Sequence, residues 1–250
     1  MSTPVAAHHI RVALQPRDAT PHGTLALPAL CAHLQDAAGA HAEALGVSQH
    51  TLLIQEQSWV LTRLHIELDR LPRWDDTLSI ETWPSGLNGP FAQREFVLRV
   101  EDAEVGRATS TWVVFDQAER RMVRPPRVLR TLTLPDRPPA LPADIPNVKA
   151  PDSEDHTRAF RVRFHDLDLN WHVNNARYVA WALETLPIHW LDAHVLRGVV
   201  LHFKHETTAD TSVIATAEVH QHDPIRVVHH LRDADGGPTL ALAETRWAVR

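Results

Sequence analysis

The stretch Val162–Leu186, VRFHDLDLNWHVNNARYVAWALETL, joins a short strand, a polar turn and a helix. Val162 to Phe164 are typical of a strand, and the segment from about Asn174 to Leu186 is apolar almost all round. A helix of that composition is expected to be buried rather than to lie on a surface. Pro187 follows it and predicts either its end or a kink. A sheet curled around a central helix would bury such a segment.

Three polar residues alternate just before this helix: Asp168, Asn170 and His172. In an extended segment, residues at i, i+2 and i+4 project to one side. A carboxylate, an amide and an imidazole would then lie beside a helix N-terminus, where free N–H groups favour negative charge. Such a set can polarise a carbonyl and hold an attacking water. The alternative is that Asp168 and Asn170 make only turn and capping bonds.

The first half of the chain repeats this pattern. A strand at Arg11 to Leu14 leads to Asp18, then to His22, and then to a helix from about Leu27. Two further pairs of segments correspond: Thr109–Val114 with Glu244–Val249, and Asp76-Thr77 with Asp210-Thr211. An internal repeat of this kind predicts an α+β protein made of two fused copies, each with one long helix and an antiparallel sheet.

The first copy is expected to be degenerate in catalysis. Thr20 stands where Asn170 stands in the second copy, and Glu67 is only loosely comparable with an acid elsewhere. Its helix has an apolar stripe at spacings of three or four residues, and Gly46 is predicted to cap its C-terminus.

A proline-rich segment separates the two copies. Eight prolines between Arg124 and Pro151 predict an extended connector, because proline restricts its own backbone and that of the preceding residue. The predicted organisation is therefore a first repeat at 1–123, a linker at 124–152 and a second, catalytic repeat at 153–250.

Composition excludes several classes of protein. The net charge of -6 argues against generic nucleic-acid binding, which needs a broad basic surface. No secretory signal pattern and no apolar run of the ~20 residues that a membrane span requires is found. The single cysteine, Cys31, favours a cytoplasmic location, and the scattered histidines predict no metal site. Glycine-rich cofactor loops and a Gly-x-Ser-x-Gly motif are missing, and Ser85-Gly86 is predicted to lie in a hairpin loop, so no cofactor is expected.

The segment Asp168–Asn175, followed by Tyr178, Trp181, Glu184 and Pro187, closely resembles the acyl-acyl carrier protein thioesterase family. The first half contains similar pieces at Trp59–Arg63, Asp69–Asp76 and Ser110–Val113, so that the resemblance spans about residues 8 to 249. It implies a double hotdog fold, in which each sheet wraps around a long helix. It also implies hydrolysis of the thioester between a fatty acyl chain and the phosphopantetheine arm of acyl carrier protein.

The resemblance implies four catalytic residues: Asp168, Asn170, His172 and Glu206. Some family members have a cysteine after that glutamate, but this chain has Thr207, which excludes a cysteine nucleophile there. Simple strand alternation points Glu206 away from the helix if Phe203 faces it, unless a bulge intervenes.

Two mechanisms stay open at this point. Either Glu206 or Asp168 acts as the base for water, or Asp168 attacks directly and forms a transient anhydride. In both, Asn170, His172 and backbone N–H groups near Val173 and Asn174 are expected to polarise the thioester carbonyl.

Acyl carrier protein is the expected partner, and it is acidic. A basic cluster could steer it, although a solvated connector would explain the same residues: Arg120, Arg121, Arg124, Arg127 and Arg130. An acyl-coenzyme A thioesterase of the same fold and a non-catalytic acyl-binding hotdog protein are the alternative functions. Two fused copies already supply the pairing that single hotdogs obtain by dimerising. The sequence is therefore compatible with either a monomer or a homodimer.

Overall fold

The computed structural model describes residues 5–142, 144–221 and 224–250. Residues 1–4 of the predicted first repeat, Ala143 of the predicted linker, and His222 and Asp223 of the predicted second repeat lie outside that description. The chain divides into two compact units, one comprising Met1–Ile66 and Arg70–Ile145, the other Glu67–Asp69 and Pro146–Arg250.

The first unit is an antiparallel sheet with one long helix. Its strands follow the spatial order β1-β3-β4-β5-β2, and β6 pairs with β5. Its elements are β1 (His8–Ala13), α1 (Leu27–Ala44), α2 (Gln49–Leu53), β2 (Gln57–Leu68), β3 (Thr77–Asn88), β4 (Phe91–Val100), β5 (Ala103–Asp116), β6 (Arg121–Val123) and α3 (Arg127–Arg130).

The second unit has the same topology. Its strands follow the order β7-β9-β10-β11-β8, which matches the first unit strand for strand. Its elements are β7 (His156–Arg161), α4 (Asn175–Glu184), α5 (Ile188–Ala193), β8 (His194–Phe203), β9 (Ser212–His220), β10 (Ile225–Asp233) and β11 (Thr239–Val249). The predicted fold of two hotdog repeats is confirmed.

The predicted long helices are both present, and each buries an apolar face. Gly46 adopts a φ of 72° after α1, and its N–H donates to the carbonyl of Glu43, so the predicted glycine cap is confirmed. Helix α4 buries Tyr178 and Trp181 against β9, β10 and β11. It ends at Glu184, and Pro187 precedes the short helix α5, which the sequence did not predict.

Two local predictions were wrong. Ser85-Gly86 lies within β3 rather than in a hairpin loop. The strand predicted at Val162 to Phe164 instead ends at Arg161, and Phe164–Asp166 form a 3₁₀ turn. The reason is local, because the Asp166 carboxylate accepts a hydrogen bond from the Arg163 N–H and thereby caps that turn.

The proline-rich segment packs on the first unit over much of its length. The helix α3 begins directly after Pro126 and buries Leu129 against Ala42 and Val47. Further along, the Ala140 N–H donates to the carboxylate of the buried Glu95 at 3.1 Å. The boundary between the two compact units falls after this contact, between residues 145 and 146.

Each unit buries a neutral histidine. In the second, His229 is fully buried, and its Nε2 lies 2.9 Å from the hydroxyl of Thr245. Burial lowers the pKa of His229 to about 3. In the first, burial, assisted by the nearby Arg94, lowers the pKa of His41 to about 4. Since both histidines bind a proton more readily in the unfolded chain, acid favours unfolding.

We expect His229→Gln to make the protein less sensitive to acid. Below a pH of about 6.5, His229 binds a proton in the unfolded chain but not in the folded protein, because folding depresses its pKa. At pH 5 this lowers the free energy of unfolding by about 2 kcal/mol relative to pH 7. The drop in the free energy of unfolding between pH 7 and pH 5, measured by urea denaturation, should shrink by about that amount. His50→Gln, at an exposed position, is the control; equal drops in both variants would contradict the prediction.

Candidate active site

The segment between β7 and α4 is a tight turn, not an extended strand. The Asp168 N–H donates to the His172 carbonyl at 2.8 Å, and the Trp171 N–H donates back to the Asp168 carbonyl at 3.1 Å. Leu167 and Val173 form a single antiparallel bridge at the base of this turn. The predicted projection of alternate residues to one side of a strand is therefore wrong, and the turn itself gathers the polar residues.

Asp168 organises the turn through one oxygen. Its Oδ1 accepts the backbone N–H groups of Asn170 at 2.8 Å and of His172 at 3.3 Å. These are the turn bonds that the structural alternative predicted. The carboxylate nevertheless lies at an exposed position, while Asn170 and His172 are half-buried. Asp168 thus holds the other two residues in place by their backbones and presents a charge beside them.

Glu206 does reach this turn. Its Oε2 lies 3.4 Å from Nδ1 of His172, with the two side chains 44% and 34% exposed. Pairing through Nδ1 leaves Nε2 as the ring nitrogen that can meet a substrate.

The end of β8 explains how Glu206 escapes strand alternation. Phe203 faces the helix, with its ring edge-on to Tyr178 at 6.0 Å. Beyond it, the N–H groups of Lys204 and His205 both donate to the Leu240 carbonyl, at 2.8 and 3.3 Å, so the regular ladder stops there. The chain then passes the site turn and places Glu206 against His172.

The backbone N–H groups expected to polarise a substrate are already engaged. The Val173 N–H donates to the Thr207 carbonyl at 2.9 Å, and the Asn174 N–H donates to the Asp166 carbonyl at 2.8 Å. That part of the predicted mechanism is wrong, because the turn uses both groups to fix its own geometry.

The first unit contains the same turn, in a register that differs from the predicted one by two residues. The Thr20 N–H donates to the Thr24 carbonyl, and the Gly23 N–H donates to Thr20, as Asp168, His172 and Trp171 do in the second unit. Asp18 caps its turn as Asp166 does, by accepting the Gln15 N–H. The equivalent pairs are Asp18 and Asp166, Thr20 and Asp168, His22 and Asn170, Gly23 and Trp171, and Thr24 and His172.

The equivalent of Glu206 is Leu71, not Glu67. The Leu25 N–H donates to the Pro72 carbonyl at 2.7 Å, as Val173 does to Thr207 in the second unit. The prediction that the first unit retains the aspartate and the histidine is therefore wrong. It has no acid at either acidic position and no imidazole at the position of His172.

Trp171 carries backbone strain in the middle of the site turn. Its φ is 61°, in the left-handed region that bulky residues avoid, whereas the equivalent Gly23 adopts 72° without penalty. The Trp171 side chain is 68% exposed and lies edge-on to Phe164 at 6.2 Å. Residues held in this region are concentrated at functional sites.

Two features are absent from the part of the chain that the structure describes. No group of three or more His, Cys, Asp or Glu side chains there could hold a metal ion. No described helix has both the length and the apolar character needed to cross a bilayer.

Comparison with protein families gives matches over both units. Residues 8–130 match the model of the acyl-ACP thioesterase N-terminal domain, and residues 149–249 match that of the C-terminal domain. A dodecanoyl-[acyl-carrier-protein] hydrolase, chloroplastic, from Cinnamomum camphora is 30% identical over 94% of this chain and 66% of its own length. A palmitoyl-acyl carrier protein thioesterase, chloroplastic, from Gossypium hirsutum is 30% identical over 90% of this chain and 59% of its own. The chain thus spans 59% to 66% of the length of these curated relatives.

Solved structures share the fold. The 12:0-ACP thioesterase from Umbellularia californica superimposes with a TM-score of 0.87 at 24% identity, covering 100% of both chains. An acyl-ACP thioesterase from Bacteroides thetaiotaomicron gives a TM-score of 0.85 at 22% identity, covering 97% of this chain and 98% of its own.

We expect the site turn to tolerate Trp171→Asn better than Trp171→Val. Both variants remove the indole, but asparagine adopts a positive φ far more readily than a β-branched residue does. In the valine variant, the N–H groups of Asn170 and His172 should exchange with deuterium about 5–30 times faster than in the asparagine variant, as measured by NMR. Equal exchange rates would show that the turn does not depend on this backbone conformation.

Proposed function

The chain belongs to the acyl-ACP thioesterase family, and on that premise we propose that it hydrolyses fatty acyl-acyl carrier protein to a free fatty acid and the carrier's thiol. One observation carries the proposal: the contact of 3.4 Å between His172 and Glu206, beside the turn that Asp168 holds. A carboxylate, an amide and a carboxylate–imidazole pair can together activate a water and polarise a thioester carbonyl.

In the proposed reaction, Glu206 and His172 activate the water. Glu206 holds the imidazole through Nδ1, so that Nε2 takes the proton as the water oxygen adds to the thioester carbonyl carbon. Asn170 polarises the carbonyl. The C–S bond then breaks, and the sulfur leaves with that proton as a thiol. Asp168 either supplies a fixed negative charge beside the imidazole or itself adds to the carbonyl and forms an anhydride.

The first unit is proposed to contribute to acyl-chain binding rather than to catalysis. Its equivalents of the site residues include Thr20, Thr24 and Leu71, which cannot act as acids or bases near neutral pH. A cytoplasmic setting and a role in fatty acid biosynthesis complete the proposal. The single, buried and unpaired Cys31 supports that compartment.

We expect Asp168→Asn to lower kcat about 10²–10⁴-fold while the protein stays folded. The amide keeps an oxygen where Oδ1 accepts the two N–H groups, so only the charge is lost. Asp166→Asn is the matched control, because that carboxylate caps a turn in the same loop and should leave kcat within a few-fold. The measurement is release of free acid from carrier-linked acyl chains of graded length.

Full turnover by Asp168→Asn would eliminate this scheme. A single turnover of wild type in ¹⁸O-labelled water separates the two roles of Asp168. Direct attack would leave ¹⁸O in the Asp168 carboxylate after hydrolysis of the anhydride, whereas water activation would not.

The proposed docking surface for the carrier is the basic cluster at β6 and α3. All five of its arginines are exposed, and none forms an ion pair with a residue that the structure describes: Arg120, Arg121, Arg124, Arg127 and Arg130. An acidic carrier would be attracted to such a surface despite the net negative charge of the chain. Coenzyme A lacks the protein surface that would use all of these contacts.

We expect the double charge reversal R121E/R124E to raise KM for acyl-acyl carrier protein about tenfold or more, with kcat little changed. KM for a short acyl-pantetheine thioester should stay within about twofold, because that substrate has no acidic surface. The control is R11E/R17E, which makes the same change in charge at exposed positions in the same unit. Equal effects on both substrates, or equal effects of both double variants, would contradict docking at this cluster.

A further inference from the structure

Tyr178 is tightly packed close to Thr207 and to the two site carboxylates, Glu206 and Asp168. It belongs to the first part of α4, which directly follows the turn, and only 3% of it is exposed. Its ring is held edge-on between Trp181, at 5.7 Å, and Phe203, at 6.0 Å. Because both neighbours are packed into the core, the hydroxyl has little freedom to move.

The buried hydroxyl of Tyr178 lies near the backbone N–H of Thr207, but its own proton has no acceptor among the described residues. Leaving a buried polar group unpaired is costly, and such groups need an explanation. Burial raises the pKa of Tyr178 above its ordinary range; the nearby backbone amide of Thr207 opposes this, and the charges of Glu206 and Asp168 raise it further. The group is therefore a protonated donor at working pH, within electrostatic reach of both site carboxylates.

Packing alone does not require this hydroxyl. Counting from the first residue of each helix, the equivalent of Tyr178 in α1 is Leu30, which is fully buried. A leucine thus fills the same place in the unit that lacks Asp168, His172 and Glu206. The hydroxyl occurs only where the candidate chemistry occurs.

A donor is also needed at this place. The carbonyl oxygen of a thioester gains negative charge when water adds to the carbon, and donors aimed at that oxygen lower the barrier. The backbone N–H groups of Val173 and Asn174 are both engaged within the protein. The O–H of Tyr178 has no acceptor among the described residues, so it is free to donate to a substrate oxygen.

We infer that Tyr178 is a further catalytic residue, whose O–H donates to the thioester carbonyl oxygen as the tetrahedral intermediate forms. The inference rests on the proposed thioester hydrolysis. As the water oxygen bonds to the carbonyl carbon, the C=O electron pair moves onto oxygen and meets this hydrogen bond, and the water proton goes to the His172–Glu206 pair. When the C–S bond breaks, the electron pair on oxygen re-forms the C=O bond of the acid, and the sulfur takes the proton from the His172–Glu206 pair. Tyr178 keeps its own proton throughout.

The test begins with Tyr178→Phe, assayed on dodecanoyl-acyl carrier protein. We expect kcat to fall about 10²–10³-fold with KM within about threefold, because the lost bond forms mainly in the transition state. The melting temperature should be unchanged or higher, since the substitution removes an unpaired buried polar group. Wild-type kcat would overturn the inference, and so would a loss of kcat that follows a lowered melting temperature.

Thr216→Val is the matched control. Thr216 is also fully buried in the second unit with an unpaired hydroxyl, and it lies in β9. Its removal should leave kcat within about twofold. A loss as large as that of Tyr178→Phe would mean that removing any buried hydroxyl of this unit impairs the enzyme, and would overturn the assignment.

Analogue binding decides the role of the hydroxyl without turnover. A dodecyl trifluoromethyl ketone analogue of the acyl-pantetheine, which adopts a tetrahedral oxyanion form, should bind Tyr178→Phe at least tenfold more weakly than wild type. The dodecyl thioether of pantetheine, which has no carbonyl, should bind both proteins equally. Equal weakening of both analogues, or of neither, would overturn the inference. If wild type hydrolyses no acyl thioester, the proposed function fails, and these affinities still show whether Tyr178 donates to a carbonyl oxygen.

Discussion

The hydrogen bond from the Val173 N–H to the Thr207 carbonyl, 2.9 Å long, is the contact on which the candidate site depends. It joins the residue before α4 to the segment that leaves β8. Glu206 immediately precedes Thr207, and His172 immediately precedes Val173, so this one bond places the carboxylate beside the imidazole. The first unit makes the same bond between Leu25 and Pro72, but the residues that precede these two are Thr24 and Leu71, which cannot form such a pair. The contact is thus part of the fold, and in the second unit the candidate catalytic residues lie beside it.

Two departures from ordinary structural preference lie close to that contact. Trp171 adopts a left-handed backbone conformation where the first unit has Gly23, and Tyr178 buries an unpaired hydroxyl where the first unit has Leu30. Both choices cost stability, and the first unit shows that the fold forms without either. Local conflicts of this kind are expected at functional sites, where a residue serves a ligand rather than the folded state.

The internal repeat and the hydrophobic pattern predicted two α+β copies with buried helices, and the family resemblance implied the hotdog fold, but none of these predicted the register between the repeats. The buried helices and the glycine cap follow from apolar spacing and from the freedom of glycine at positive φ, which are local properties. The pairing of Asp18 with Asp168 failed because an aspartate that caps a turn and an aspartate in a candidate site look alike in sequence. The hydrogen bond to the Gln15 N–H and the backbone bonds of Thr20 show that Asp18 is the counterpart of Asp166. Likewise, alternation misplaced Glu206, because the regular ladder ends at Phe203, where Lys204 and His205 both donate to the Leu240 carbonyl. No residue type in the sequence predicts that irregularity.

Comparing the two units separates what the turn needs from what the chemistry needs. The backbone bonds of the turn are the same in both, although the side chains at the positions of Asp168, His172 and Glu206 become Thr20, Thr24 and Leu71. In the first unit, the hydroxyls of Thr20 and Thr24 bond to each other at 3.0 Å, whereas in the second unit Asp168 accepts the N–H groups of Asn170 and His172. Because threonines complete this turn, an aspartate is not required to build it. The turn therefore folds without Asp168, His172 and Glu206. This is the physical reason for proposing that the chemistry belongs to the second unit.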